Sequence, residues 1–432
     1  MKLKIKKKSL SFELNKTAEV LSLIEKGRSL SYSLDFIIKS NELFDSIGAI
    51  KSFTYKSLRN WGTAEYQTKF IMDVPSKFSK FKSLIKCSLT LLSDPKKPYK
   101  EYTLVNETVN ACKLDPQLSK FCGLTNASLR NFLRNRNYIN SKVKENEEAF
   151  WNYPQWWINK TKMNWPNDWQ KILKSGNNIP PLTLRVNKKK ISVCDYLSLL
   201  NEKSLIAEQI GPWAIKLKNP TNVEKIPGFN DGLVSIQDAA AQLAAPLLDV
   251  NKGMYVLDAC AAPGGKTCHL LEFADLSLIS IDNNKNRLNL VRENLNRLKL
   301  EANVVYCDAK LNDWWDGNYF DRILVDVPCT SSGVVRRNPD IRWLRKPEDS
   351  KFLSNESTLI LNNLWDMLLP GGKLLFVTCS IWPEESIEVA EKFAKNNMAI
   401  KLNSPGQILP QNLNNNHDGL FFALFKKPIG KI

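Results

Sequence analysis

Histidine is nearly missing from this chain: 432 residues hold only His269 and His417. Nine cysteines are present, yet no two are spaced as Cys-x-x-Cys. Structural zinc takes four Cys or His ligands, usually in close pairs, so no zinc or other metal site is expected. Long apolar runs are absent too. None approaches the ~18 residues a membrane helix needs, so no membrane partner is expected. The start, Met1-Lys-Leu-Lys-Ile-Lys-Lys-Lys, is basic, but Ser9, Ser11, Glu13 and Asn15 interrupt any apolar stretch after it. A secretory signal is therefore not expected, and a cytosolic protein with free thiols is.

What the chain has in excess is positive charge, +17 net. Lys and Arg that neutralise phosphates supply sequence-independent affinity for nucleic acid. The chain is also rich in Lys, Asn and Ile together, as compositional drift would make it. Charge alone points towards a polyanion without deciding for one.

The length suits two or three domains. Residues 1–140 read as helices. Leu21, Leu23, Ile24, Leu30, Phe36 and Ile37 fall near helical spacing, and 124–136 puts Leu129, Phe132 and Leu133 on one face with arginines outward. Residues 145–235 read as a small α/β module, with tryptophans at 151, 156, 157, 165 and 169 and a strand-like Pro180-Pro-Leu-Thr-Leu-Arg-Val-Asn187. From 236 to 432, strand and helix patterns alternate. Strands are predicted at 254–258, 276–282, 303–307, 322–326 and 373–379, and helices at 267–273, 284–298, 351–369 and 384–394. Such alternation implies βαβ units and a mostly parallel sheet.

In Tyr255-Val-Leu-Asp-Ala-Cys-Ala-Ala-Pro-Gly-Gly-Lys-Thr267, an apolar strand enters a small-residue turn and then a helix. Backbone N–H groups and a helix N-terminus would face a ligand there. It is neither Gly-x-Gly-x-x-Gly nor a P-loop. Asp282 and Asp308 end the next two strands, where one carboxylate can hold ribose hydroxyls and the other an exocyclic amine. A nucleoside-bearing cofactor fits both, a nicotinamide included. Val325-Asp-Val-Pro-Cys329 and Thr378-Cys379-Ser380 then end two further strands, so Asp326 and two thiols should converge on the same crevice. Pro383 opens the predicted helix after Cys379, whose N-terminal dipole would favour a thiolate.

These motifs resemble the Sun/RsmB family of RNA cytosine-C5 methyltransferases. Cys260-Ala-Ala-Pro-Gly-Gly-Lys266, Asp326-Val-Pro-Cys329 and Thr378-Cys-Ser380 agree in type, order and spacing. The likeness extends through Ser332-Gly-Val-Val-Arg-Arg-Asn-Pro-Asp-Ile-Arg-Trp343 and Val234-Ser-Ile-Gln-Asp-Ala-Ala-Ala-Gln242. Asn338 departs from the family's histidine. Upstream, Asn106-Glu-Thr-Val109 and Asn126-Ala-Ser-Leu-Arg130 resemble a NusB-type RNA-binding domain. The implied fold is multidomain: an all-α NusB-like domain, a linking α/β module and a C-terminal Rossmann-like, class I S-adenosylmethionine (SAM)-dependent methyltransferase domain.

The resemblance also implies roles. SAM would be cradled by Cys260, Ala261, Ala262, Pro263, Gly264, Gly265 and Lys266, with Asp282 on ribose, Asp308 near adenine and Asp326 near the methionine end. Cys379 would attack carbon 6, Asp326 would bond N3, and Cys329 would serve release. Arg336, Arg337 and Arg342 are expected to hold phosphates around an extruded base. The implied substrate is 16S rRNA and the expected state a monomer. Two alternatives stay open: a 5-methylcytosine enzyme acting on tRNA or another RNA, and a non-catalytic RNA-binding or ribosome-assembly protein. A DNA cytosine enzyme is excluded, because its Glu-Asn-Val motif should follow the Pro-Cys, whereas Glu293-Asn-Leu lies upstream of Cys329.

Overall fold

The computed structural model describes residues 9–41, 44–72, 78–410 and 416–429; the basic start, 1–8, lies outside them. The chain divides into two compact units, 1–178 with 335–346, and 179–334 with 347–432.

The first unit is all-α, with helices from Leu10–Glu25 to Trp169–Asn177. Ser9 caps the first of these by accepting from the Phe12 N–H at 3.3 Å. Its buried face, Leu14, Ala18, Leu21 and Ile24, follows the helical period. That face joins a core with Phe81, Leu84, Leu129 and Phe132. Trp343 and Leu344, from the 335–346 segment, pack on the same core.

The second unit holds two sheets. The smaller comprises β1 (Leu182–Val186), β2 (Ala207–Gln209), β3 (Ala214–Leu217) and β4 (Val234–Ile236). Its order is β2-β3-β1-β4, antiparallel throughout. The larger has β5 (Tyr255–Ala259), β6 (Ser277–Asp282), β7 (Asn303–Tyr306), β8 (Phe320–Asp326), β9 (Leu368–Thr378), β10 (Ile400–Ile408) and β11 (Leu420–Lys426). They lie in the order β10-β11-β9-β8-β5-β6-β7. β5 to β9 pair parallel, and β11 runs antiparallel to both β9 and β10. The sheet is thus mostly parallel, as expected; two strands with no counterpart among the expected elements extend one edge, and of these only β11 runs against the rest.

Parallel strands are covered by helices on both faces, which is why Ile323, Leu324 and Val325 are consecutive and all buried. Strand order reverses between β5 and β8. At such a switch point the loops leaving the carboxyl ends separate and open a crevice.

Candidate active site

The small-residue turn leaves β5 at that crevice. Cys260 has φ +58°, and Gly264 has φ +93°. A Cβ at Gly264 would stand 3.0 Å from the Val291 backbone, so the turn accepts only glycine there. Four side chains hold the turn. Asp282 accepts the Ala262 N–H at 3.1 Å, Arg287 donates to the Ala262 carbonyl at 2.5 Å, and Asn294 donates to the Pro263 carbonyl at 3.0 Å. From β1, Arg185 donates to the Gly265 carbonyl at 2.8 Å. Its guanidinium is buried and also grips Glu272 at 2.7 and 2.9 Å.

Asp258 ends in full burial beneath the turn, accepting from the Thr267 hydroxyl at 2.6 Å. Burial pushes its carboxyl up to about 7. Its Oδ1 has no partner among the described residues. Beyond β6 and β7, Asn283, Tyr306, Cys307, Asp308, Asp313 and Trp314 line an open recess. Asp282 and Asp308 therefore both reach the carboxyl edge of the sheet. Asp308 accepts the Lys310 N–H at 3.0 Å.

Across the switch point, Lys266 donates to Asp326 at 2.5 Å. Burial alone would lower the ammonium's pKa, but the Asp326 carboxylate more than offsets it, and the net shift is upward. Beside this pair the loops after β8 and β9 bring Cys329 and Cys379 together, Sγ to Sγ 3.3 Å. Ser331 Oγ lies 3.5 Å from the Cys379 sulfur. The two thiols share hydrogen-bonding capacity, which eases loss of the first proton and shifts Cys329 down. With Cys329 as its partner, and with burial and Asp326 adding to the effect, Cys379 goes well up. The expected help from a helix dipole at Cys379 is absent. Pro383–Glu385 is a single 3-10 turn and the α-helix starts only at Ile387.

The structure thus gathers Cys260–Lys266, Asp282, Asp308, Asp326, Cys329 and Cys379 on one edge of one sheet. The arginines expected as phosphate ligands belong to the other unit. Arg336 and Arg342 are buried in the helical unit, and Arg337 is half-buried. Arg342 donates to the Gly176 and Asn152 carbonyls at 2.5 and 3.2 Å, and lies 3.9 Å over the Tyr153 ring. Sealed from solvent and bonded to two backbone carbonyls and the Asn177 side chain, it cannot reach a phosphate, so its expected role is corrected to a structural one. Among the described residues no group of three or more His, Cys, Asp or Glu is arranged to hold a metal ion. None of the described helices is long and apolar enough to cross a membrane.

Arg185, Asp258 and Glu385 are functional-site residues that the sequence reading did not single out. An arginine within an apolar strand pattern, and an acid ending one, are signals that could have found the first two.

The strand order with its one reversed strand, β11, and the turn after β5, define a Rossmann-like class I methyltransferase domain. The chain belongs to the 16S rRNA methyltransferase RsmB/F family: residues 245–426 match that family. Residues 153–224 match the RsmF/B-like ferredoxin-like domain. Ribosomal RNA small subunit methyltransferase B of Vibrio cholerae is 35% identical over 97% of this chain and 99% of its own. The probable ribosomal RNA small subunit methyltransferase B of Coxiella burnetii is 40% identical over 76% of this chain and 80% of its own. The crystal structure of PH0851 shares the fold at TM-score 0.77 and 22% identity, over 97% of this chain and 99% of that one.

Proposed function

We propose that this protein transfers a methyl group from SAM to carbon 5 of a cytosine in 16S rRNA, through a covalent bond between Cys379 and carbon 6. The observation that carries this reading is the 3.3 Å thiol pair beside the Lys266–Asp326 pair, at the switch point of the sheet.

The residues fit SAM. At Gly265 of the turn 260–266 a Cβ would meet only the Gln237 side-chain amide, at 3.8 Å. The carboxylates of Asp282 and Asp308 at the carboxyl edge of the sheet supply acceptors for hydroxyl and amine groups. When bound, SAM supplies an electrophilic methyl group. Lys266 keeps Asp326 oriented, and Asp326 faces the base at N3 to stabilise charge in the ring.

Carbon 5 of cytosine is a poor nucleophile. Addition of the Cys379 thiolate forms an S–C6 bond and moves the C5=C6 electron pair to carbon 5, which can then take a methyl group. Afterwards a base must remove the carbon 5 proton. The returning pair restores C5=C6 and expels Cys379 as thiolate. The thiol pair suits this order. In the free pair the charge favours Cys329, so as Cys379 attacks carbon 6 its proton passes across the 3.3 Å contact to the Cys329 sulfur. Once Cys379 is bonded to carbon, Cys329 releases that proton to solvent and, as thiolate, takes the proton from carbon 5.

Methyl-labelled SAM incubated with deproteinised 16S rRNA, bulk tRNA and duplex DNA tests the reading. Label as 5-methylcytidine in 16S rRNA alone supports it, and label only in tRNA moves the target. Cys379→Ala is expected to abolish methylation while SAM still binds. Cys329→Ala is expected to leave RNA attached to the protein on a denaturing gel. Full activity of the first variant, or no adduct with the second, overturns the roles assigned.

A further inference from the structure

The two sulfurs sit on separate loops, after β8 and β9, and nothing covalent joins those loops. Their spacing depends on what lies beneath them. There the Glu385 carboxylate, 1% exposed, accepts from the Thr330 N–H at 2.7 Å, the Thr330 hydroxyl at 2.5 Å and the Ser380 hydroxyl at 2.5 Å. Thr330 directly follows Cys329, and Ser380 directly follows Cys379. One side chain therefore ties together the residues adjoining both thiols. Secondary ties run the same way. Ser332 Oγ lies 3.0 Å from Ser380 Oγ, and the Gly333 N–H donates to the Cys379 carbonyl at 2.8 Å.

A neutral amide or hydroxyl could make such a brace without the cost of burying a charge. Burial raises the Glu385 pKa, with its donors opposing the shift. A buried charge at a catalytic edge is better explained if the charge itself acts.

Resting on the two-cysteine reading above, we propose that Glu385 is a positioning residue: it holds the loops of Cys329 and Cys379 at reacting distance and sets a fixed negative charge behind Cys329 that favours its work as the releasing base. The charge acts on Cys329 in the required sense, making its proton harder to lose and its thiolate more basic. The other charged groups facing the thiols are Asp326 and, through it, Lys266; Glu384 faces Glu385 itself.

The test uses full-length protein, a 16S rRNA transcript and methyl-labelled SAM. It compares Glu385→Gln, which keeps a hydrogen-bonding bridge without charge, with Glu385→Ala, which removes both. For Glu385→Gln, kcat is expected to fall roughly tenfold, in the range of lost acid–base assistance, with KM for SAM unchanged. Its thiol-ionisation limb should move to lower pH, and the protein–RNA adduct should accumulate because release slows. For Glu385→Ala, kcat is expected to fall roughly a hundredfold, as misplaced reacting groups do, with less adduct formed. A kcat and pH limb like the parent's in both variants overturns the proposal. So does a loss in Glu385→Gln with the limb unmoved and no adduct, since a passive brace would give that. If Glu385→Ala does not fold, the pH limb and adduct of Glu385→Gln decide. Cys329→Ala runs alongside. An adduct there with unaltered Glu385 variants removes Glu385 alone, whereas no adduct removes the cysteine reading and this proposal with it.

Discussion

Asp258 is fully buried, and its carboxylate accepts one hydrogen bond, from the Thr267 hydroxyl. Burial lifts its folded pKa to about 7 from an ordinary 3.8, so the unfolded chain releases this proton first as pH rises. The sign follows from that order. Its contribution to stability is whole below the unfolded value and is lost as pH climbs through the folded one. In Asp258→Asn this titration is gone. The decline in unfolding free energy between about pH 4 and pH 7 should therefore be shallower than in the parent, as denaturant melts across that window would measure. An equal slope in both proteins would mean that Asp258 carries no such penalty. The same residue shows what the sequence could tell. That an acid stands near the end of the first strand of the large sheet is legible in Val256-Leu-Asp258. That it is sealed from water, with one oxygen left over, is a property of packing by residues far along the chain.

At the scale of elements, the parallel core of the large sheet was legible because each strand is a short apolar run followed by a helical stripe. All five expected strands fall within a few residues of β5 to β9. β10 was hidden because it is an edge strand carrying Pro405 and Gly406, with a register shift between Leu402 and Gly406. β11, Leu-Phe-Phe-Ala-Leu-Phe-Lys, bears the mark of a buried strand, but a single apolar run does not say which neighbour it pairs with. The paired cysteines were readable for a different reason: strand ends fix where their motifs go. The braces were not, because Arg185 lies 87 residues from Glu272 and Glu385 lies 55 from Thr330. Arg185 gives a prediction at this scale. It joins the small antiparallel sheet to the turn after β5. Arg185→Met leaves Glu272 buried without its partner and should cost about 3–5 kcal/mol in a denaturant melt. Arg185→Met combined with Glu272→Leu should recover much of that loss. A double variant no more stable than the single one would show that the charge pair is not the reason.

For the molecule as a whole, a net charge of +17 predicts RNA affinity that falls steeply with salt. Arg342 separates the surface charges from the buried ones. As a phosphate ligand it would contribute about one unit to the salt slope. Buried against Tyr153 and two backbone carbonyls, it should contribute none. Arg342→Ala is therefore expected to lower the melting temperature by several degrees while leaving the slope of log affinity against log salt as in the parent. A slope shallower by one unit in that variant would return Arg342 to the RNA.

The helical unit takes its last piece, Val335–Lys346, from far downstream, and Trp343 and Leu344 of that piece pack on its core. This ordering has a consequence during synthesis. When residue 178 leaves the ribosome the first unit is one strut short, and it stays so until residue 346 has emerged. At roughly 5–20 residues per second the gap lasts on the order of ten seconds, an interval in which the nascent helices present an unfinished core to chaperones and proteases.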